Sequence, residues 1–289
     1  MTTMTTIENR VAAARETLRE AGLGSDEARA SARVLAEFAL GWTTTRYLMS
    51  AGQVEPAGFA DHFGSLVARR AAREPSAYIT GRQEFWGLSL EVSPAVLIPR
   101  PDTELIVEAA LEAIGPRFSD RLRIADAGTG SGCVAIALAR ELPAATLVAT
   151  DISEEALDVA RRNASRFGVA DRVRFVRANV LEGVDGPFDL VAANPPYVRQ
   201  GDRPALQPEV REYEPAVALF GGASGIDLVR DFVAQAVPLL KQDGHLIFEF
   251  GFGQDVEIEQ LIASTPGLTM IGLRRDLHGI ARTAVTKKI

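Results

Sequence analysis

The most informative segment for the fold is Ile124-Ala125-Asp126-Ala127-Gly128-Thr129-Gly130-Ser131-Gly132. The apolar run that begins at Leu122 predicts a buried strand, and the glycine-rich loop after it leads into a helix that starts near Cys133. Glycine lets the backbone approach a ligand closely, and the N-terminus of a helix favours hydrogen-bond acceptors and negative charge. We therefore expect a ligand at this strand-to-helix turn.

The chain around this loop alternates short apolar runs with amphipathic stretches such as 153–167 and 224–240. Strands that alternate with helices predict an α/β fold with a parallel, doubly wound sheet, whose ligands bind at the carboxyl ends of the strands. The five predicted strands are Leu122–Ala127, Thr146–Thr150, Val173–Val176, Phe188–Ala193 and His245–Phe250.

The first part of the chain shows helical periodicity and no strand pattern. We expect Ser25 to be the N-cap of a second helix and a third helix to follow Pro56, which together indicate a small helical bundle. Apolar residues of the first predicted helix recur every three or four positions, at Ile7, Val11, Ala14 and Leu18.

The period changes to two at Phe85. The alternation from Trp86 to Val92, the turn signal Ser93-Pro94 and the returning apolar run Val96–Ile98 predict a β-hairpin. We accordingly divide the chain into a helical domain at 1–84, a hairpin linker at 85–98 and a ligand-binding domain at 99–289.

Composition excludes several classes of protein. The 289 residues are 47% hydrophobic and 24% charged, as in ordinary globular proteins. One cysteine and three scattered histidines supply neither a disulfide framework nor a zinc cluster, so we predict no metal site. The first ten residues show no secretory signal, and we expect a cytoplasmic protein.

Charge argues against a grip on long nucleic acid. The formal net charge is −7, and residues 1–85 hold ten basic and ten acidic side chains against 21 and 28 in the remainder. Neither part has the basic excess that phosphate binding usually requires.

The loop and the strands after it favour a ligand that contains adenosine. The glycines fall at 128, 130 and 132, and Cys133 occupies the third glycine position of the dinucleotide fingerprint, so the match to a nicotinamide site is imperfect. Asp151 follows the second strand, where a carboxylate can accept hydrogen bonds from both ribose hydroxyls. Asn179 ends the third strand, where two roles stay open from the residues: a contact to the adenine edge, or a turn residue.

The motif that discriminates between cofactors is Asn194-Pro195-Pro196-Tyr197, directly after the fourth strand. Asn194 offers a carbonyl acceptor, and the rigid Pro-Pro segment holds the carbonyl of Pro195 in place. Two such acceptors can bind both N–H groups of a planar NH₂, and the face of Tyr197 can pack on its plane. From the residues alone we infer an N-methyltransferase that acts on a planar NH₂.

This motif resembles the signature of amino methyltransferases. More narrowly, the chain resembles the bacterial peptide-chain-release-factor glutamine methyltransferases, the HemK/PrmC family, over nearly its whole length. The resemblance is carried by 74–81 with 84–87, by Ile98-Pro99-Arg100-Pro101-Asp102-Thr103-Glu104, by the loop and motif above, by Tyr213-Glu214-Pro215, and by Glu249-Phe250-Gly251 with Gln254.

The resemblance implies a Rossmann-like class I methyltransferase domain and S-adenosylmethionine as cofactor, with S-adenosylhomocysteine as product. It implies methyl transfer to the side-chain amide nitrogen, N5, of the glutamine in the Gly-Gly-Gln motif of class-I release factors, which modulates translation termination. The helical domain would dock the release factor, and neither nucleic acid nor a membrane would be bound directly.

The residue assignments follow from the motifs and the resemblance together. Asn179 stands where the family usually has Asp, and Val180 stands where an aromatic residue is common. We predict catalytic roles for Asn194, Pro195, Pro196 and Tyr197. We predict cofactor contacts from Asp126, Gly128, Thr129, Gly130, Ser131, Gly132, Asp151, Ile152, Asn179, Val180 and Asn194. We place Arg100, Glu104 and Glu214 at the substrate pocket.

Other functions stay open on the sequence. They are a glutamine methyltransferase acting on a ribosomal protein, a nucleic-acid adenine N6-methyltransferase, a nicotinamide-dependent oxidoreductase and a non-catalytic protein that binds an adenosyl ligand.

Overall fold

The computed structural model describes residues 5–289, which divide into two units. One unit ends at Gly81 and also includes Pro208–Tyr213, and the other comprises Arg82–Gln207 and Glu214–Ile289. The division falls at Gly81 rather than at residue 84, and the first unit gains a segment from far along the chain.

Five helices precede the division. The predicted apolar stripe of α1 is confirmed, since Ile7, Val11, Ala14 and Leu18 are all buried. The N-cap prediction for Ser25 is wrong, because the extended Gly24 occupies that position and Ser25 is the first helical residue. The helices are α1 (Ile7–Glu20), α2 (Ser25–Leu40), α3 (Thr44–Ser50), α4 (Phe59–Ala71) and α5 (Ser76–Thr80).

After Gly81 most strands are followed by a helix, as predicted, but the third and fourth predicted strands are joined without an α-helix. In chain order they are β1 (Arg82–Phe85), β2 (Leu88–Glu91), α6 (Glu104–Ile114), β3 (Arg123–Ala127), α7 (Cys133–Glu141), β4 (Thr146–Asp151), α8 (Glu154–Arg166), β5 (Val173–Arg177), β6 (Phe188–Ala193), α9 (Pro208–Tyr213), α10 (Asp227–Leu239), β7 (Leu240–Glu249), α11 (Asp255–Ser264), β8 (Leu268–Arg275) and β9 (Ala281–Lys288).

The hairpin exists but its strands differ from the prediction. β1 and β2 pair in antiparallel fashion around a two-residue turn at Trp86 and Gly87, whose φ values are 51° and 68°. Two left-handed residues give a turn whose twist matches that of the flanking strands. The stretch that was predicted to be one strand therefore contains the turn and parts of both strands. The run Val96–Ile98 forms no strand and is followed by Pro99.

The main sheet has seven strands in the order β5-β4-β3-β6-β7-β9-β8. The five predicted strands pair in parallel, whereas β9 is antiparallel to both β7 and β8. The chain moves from β3 outward through β4 and β5, and then returns to the other side of β3 with β6. The boundary between β3 and β6 is the point at which ligands bind in such sheets.

Apolar cores cover both faces of this sheet. On one face, Ile106, Val107 and Ile136 belong to the same buried cluster as Ile124 of β3. On the other face, Phe232 packs against Phe248 with ring centroids 5.7 Å apart. The core holds β3 and β6 rigidly, so the loops that follow them leave the sheet from fixed points.

The segment α9 belongs to the helical unit, although it lies between the fourth and fifth predicted strands in sequence. The carboxylate of Glu209 binds Arg70 at 2.8 Å and Arg73 at 2.7 Å, and Arg70 also binds Glu27 at 2.5 Å. The Tyr213 hydroxyl donates to the carbonyl oxygen of Ala72. Ion pairs of a largely buried arginine therefore hold this segment to α4.

No helix among the described residues is long and apolar enough to cross a membrane.

Candidate active site

A cavity of about 260 Å³ opens at the carboxyl ends of β3, β4 and β6. It is lined by most of the residues predicted to bind the cofactor and by both prolines of the motif after β6. The predicted residues that line it are Asp126, Gly128, Thr129, Gly130, Ser131, Asp151, Ile152, Asn179, Val180, Asn194, Pro195 and Pro196.

The glycines of the loop after β3 do different work. Gly128, Gly130 and Gly132 have φ values of 70°, 55° and 84°, so all three adopt the left-handed conformation. A Cβ added at Gly128 or Gly130 would meet open space, whereas one at Gly132 would lie 2.8 Å from the Cδ1 of Ile136. Gly132 does not line the cavity. It is required for packing, and the first two glycines leave room for a ligand.

The side chain of Asp126 binds the loop after β3 through two hydrogen bonds. Its Oδ2 accepts hydrogen bonds from the Thr129 hydroxyl at 2.6 Å and the Ala135 backbone N–H at 3.1 Å. Burial raises the pKa of this carboxyl to about 6, and those two hydrogen bonds oppose the rise. The loop conformation therefore depends on a buried carboxyl group.

Asp151 ends β4 at the rim of the cavity. Its Oδ2 accepts the backbone N–H of Gly130 and its Oδ1 accepts that of Ser153, each at 2.9 Å. Burial raises the pKa of Asp151, and its backbone hydrogen bonds counteract the shift. Each oxygen keeps a further lone pair, so the carboxylate can accept bonds from two ligand hydroxyls.

Asn179 and Val180 lie after β5. Asn179 is exposed at the cavity. Val180 has a φ of 57°, which is rare for a β-branched residue, and its carbonyl oxygen accepts the Thr150 hydroxyl at 2.5 Å. The turn is thereby held in a shape that presents both residues to the cavity.

Asn194 follows the last residue of β6, and its side chain is anchored. Its Nδ2 donates to the Thr103 hydroxyl oxygen at 3.0 Å. Among the described residues none donates a hydrogen bond to Asn194 Oδ1, which leaves that oxygen available as an acceptor.

Tyr197 lies beside the cavity but does not line it. Its hydroxyl donates to Glu249 Oε1 at 2.8 Å, and its carbonyl oxygen accepts the side-chain N–H of Gln254 at 3.0 Å. Burial raises the pKa of the Tyr197 phenol, and the neighbouring Glu249 raises it further. Tyr197 is held at its hydroxyl and at its backbone carbonyl, so the motif after β6 is rigid.

The three residues predicted for the substrate pocket do not line this cavity. Glu104 accepts the backbone N–H of Trp86 at 2.7 Å and so holds the turn of the hairpin. Glu214 is buried, binds the guanidinium of Arg100, and accepts the backbone N–H of Ile98 at 3.2 Å. These bonds fix the segment that leads into the cavity wall, where Val96, Leu97 and Pro99 lie.

Two polar residues beside Asn194 had no role assigned from the sequence. Thr103 lines the cavity, and Glu249 is the last residue of β7, next to β6. Glu249 could have been predicted to lie at the site, because it is a polar residue at the carboxyl end of a strand that neighbours β6. Thr103 lies outside the sheet, in the segment Ile98–Glu104 that carries the family resemblance, but nothing in that segment assigned it a role.

The cavity fits S-adenosylmethionine. The open Gly128 and Gly130 permit close approach of a ligand, Asp151 supplies an acceptor for ribose hydroxyls, and the walls are mainly apolar. Cys133 does not supply a nucleophile, because burial raises the pKa of its thiol to about 12. Among the described residues no group of His, Cys, Asp or Glu could hold a metal ion.

Comparisons with known proteins agree with this geometry. Residues 11–81 match the model of the PrmC N-terminal domain, and residues 103–209 match that of the methyltransferase small domain. A release factor glutamine methyltransferase from Bradyrhizobium diazoefficiens is 42% identical over 94% of this chain and 91% of its own. One from Nitratidesulfovibrio vulgaris is 38% identical over 97% of this chain and 95% of its own.

A solved structure supports the fold. The Thermus thermophilus 16S rRNA N2 G1207 methyltransferase, in complex with AdoMet and guanosine, aligns with a TM-score of 0.51 at 17% identity over 72% of this chain and 49% of that chain. The fold and cavity therefore define a methyltransferase of the Rossmann-like class that uses S-adenosylmethionine. Within that class, the chain belongs to the release factor glutamine methyltransferase family.

Proposed function

We propose that this protein methylates the side-chain amide nitrogen of the glutamine in the Gly-Gly-Gln motif of class-I release factors, and so modulates translation termination. The proposal rests on membership of the family and on one observation. Asn194, at the edge of the cofactor cavity, has its Nδ2 anchored and its Oδ1 available to accept an N–H.

An amide nitrogen is a weak nucleophile because its lone pair is delocalised into the carbonyl group. Asn194 Oδ1 and the carbonyl oxygen of Pro195 accept its two N–H groups, which orients the nitrogen and increases its electron density. The bound cofactor supplies a methyl group on a sulfonium leaving group. The C–S bond breaks as the N–C bond forms, and the nitrogen loses one proton to water.

Positioning accounts for most of the catalysis in this scheme. Holding two reactants in line contributes about 7–11 kcal/mol to lowering a barrier. The rigid support of the motif serves this purpose, because Pro195 is buried and Tyr197 is tethered at its hydroxyl and its carbonyl. No side chain is assigned as a general base.

The cofactor contacts follow from the cavity. We assign the ribose hydroxyls to Asp151 and the adenine to the turn of Asn179 and Val180. The loop of Gly128 and Gly130 accommodates the remainder of the ligand.

The test is mass spectrometry of a purified release factor after incubation with this enzyme and cofactor carrying a deuterated methyl group. We expect one labelled methyl on the glutamine of the Gly-Gly-Gln peptide. A release factor in which that glutamine is replaced by glutamate should remain unlabelled, and Asn194→Ala enzyme should bind cofactor yet label slowly.

The competing substrates are tested in the same assay. Ribosomal proteins and an adenine-containing DNA duplex are offered at equal concentration. Label on either of them, with none on the release factor, would contradict the proposed function.

A further inference from the structure

A row of buried hydrogen bonds continues behind Asn194. The Thr103 hydroxyl accepts from Asn194 Nδ2 at 3.0 Å and donates to Glu249 Oε2 at 2.7 Å, while Tyr197 donates to the other oxygen of Glu249. Thr103 is 2% exposed and Glu249 is 1% exposed. Water therefore does not compete for the bond between Thr103 and Glu249, and the bonds of Asn194 and Tyr197 to them are partly buried.

The direction of the row is determined by proton counting. When Glu249 is ionised, its carboxylate can only accept, so Thr103 and Tyr197 both donate to it, which is the arrangement in the structure. Thr103 has one hydroxyl proton, and once this is committed to Glu249 its oxygen can only accept. Asn194 must then turn its NH₂ towards Thr103 and its Oδ1 away from it.

The side chain of Thr103 is free of helix capping and can therefore bind Glu249 and Asn194. Thr103 is the N-cap of α6, a position where threonine often binds the helix backbone, but here its side chain makes no capping hydrogen bond. Burial raises the pKa of Glu249, and the hydrogen bonds from Thr103 and Tyr197 oppose the rise. The charged groups around it, Asp102 and Arg282, act in opposite directions, and Arg282 is itself paired with Asp102 and Asp276.

We propose that Thr103 and Glu249 are positioning residues, which set the orientation of the Asn194 amide so that its oxygen faces the substrate NH₂. The reversed amide would present an N–H donor to another N–H donor, and the substrate nitrogen would lose its acceptor. This inference rests on the proposed function only in requiring that the substrate nitrogen carries N–H groups.

The first test is kinetic and uses Thr103→Val, which keeps the volume and removes the hydroxyl. We expect kcat for a release factor to fall about tenfold or more, as for loss of one buried hydrogen bond at the reacting group. The Kd for S-adenosylmethionine should stay near that of the wild type. Thr103→Ser, which restores the hydroxyl, should recover most of kcat.

Glu249→Gln tests direction rather than presence of the bonds. Its new NH₂ group can donate to Thr103, whose hydroxyl is then free to donate to a reversed Asn194. We expect kcat to fall with this variant even though shape and hydrogen-bonding capacity are nearly kept. Wild-type kcat in Glu249→Gln would overturn the inference.

The matched control is Thr283→Val. Thr283 lies opposite Glu249 on β9, is fully buried, and its hydroxyl has no hydrogen-bond partner among the described residues. The same substitution there removes no bond of the row and should leave kcat unchanged. A loss equal to that of Thr103→Val would show that buried Thr→Val changes act through packing, and the inference would fail.

A readout that needs no substrate separates this inference from the proposed function. The side-chain NH₂ signal of Asn194 is assigned in ¹⁵N spectra by its loss in Asn194→Ala. In Thr103→Val it should shift and exchange its protons with water faster, whereas in Thr283→Val it should not. Wild-type enzyme inert towards release factors would contradict the proposed function alone. An unchanged Asn194 signal in Thr103→Val would overturn this inference alone.

Discussion

Asp151 illustrates how one carboxylate can shape a site and bind a ligand. It fixes Gly130 and Ser153 through their backbone N–H groups and, in our assignment, accepts the ribose hydroxyls. Asp151→Ala should weaken cofactor binding by about 1.5–3 kcal/mol, the usual contribution of a hydrogen bond to a charged group. Calorimetry measures this, with Asp151→Asn as the control that keeps one acceptor. Equal cofactor affinity in Asp151→Ala would remove the residue from the ribose site.

The raised pKa of Asp126 predicts that the free energy of unfolding depends on pH. Its pKa is raised by burial to about 6, so the native protein binds this proton more tightly than the unfolded chain. This proton stabilises the folded protein by about 3 kcal/mol at a pH below the ordinary pKa of Asp. That contribution to the free energy of unfolding is lost as the pH rises through 6. Asp126→Asn cannot titrate, so its free energy of unfolding should rise relative to wild type by most of that amount between roughly pH 4 and pH 7. Urea unfolding across this range measures the difference, and a constant difference would contradict the assignment.

At the scale of the element, the loop between β3 and α7 needs its glycines for separate reasons. Gly132→Ala places a Cβ 2.8 Å from Ile136 and 3.2 Å from Ala160 in a left-handed residue. We expect it to destabilise the protein by about 2–4 kcal/mol, from strain and overpacking together. In Gly130→Ala the added Cβ meets open space, so the free energy of unfolding should fall by only about 1 kcal/mol. The cofactor affinity should fall more in Gly130→Ala than in Gly132→Ala. Thermal unfolding and calorimetry on both variants test this crossed pattern. The same ranking of the two variants in both measurements would contradict it.

For the whole molecule, the predicted role of the helical unit is to dock the release factor. Deleting residues 1–75 would be an unclean test, because it would also strip Glu209 of Arg70 and Arg73. Surface substitutions are better suited. Leu48 and Met49 on α3 are 67% and 82% exposed, which makes them accessible apolar contacts on this unit.

The double variant Leu48→Glu, Met49→Glu should lower kcat/KM for a folded release factor about tenfold, the effect of losing a moderate interface contact. It should act little on a short Gly-Gly-Gln peptide, which is expected to be a weak substrate of the wild type as well. A matched pair of glutamates at the exposed Ile271 and Leu277 of the other unit is the control. Equal losses on peptide and whole factor would argue against docking through α3.

Features of the fold that depend on local spacing are predictable from the amino-acid sequence. The five parallel strands, the glycine loop and the motif after β6 were all predicted, because apolar period and turn chemistry act between residues close in the chain. The edge strand β8 was missed, since its partly exposed residues show no alternation, and β9 was missed with it.

Contacts between residues far apart in the chain are visible only in the folded structure. Thr103 lies 91 positions from Asn194 and 146 from Glu249, yet the three side chains form one row of hydrogen bonds. Glu209 lies 139 positions from Arg70 and joins it in the helical unit. Such pairs come together only when the packed core brings their backbones into place, and burial then makes each bond strong enough to matter. The sequence names the polar residues, but the fold chooses their partners.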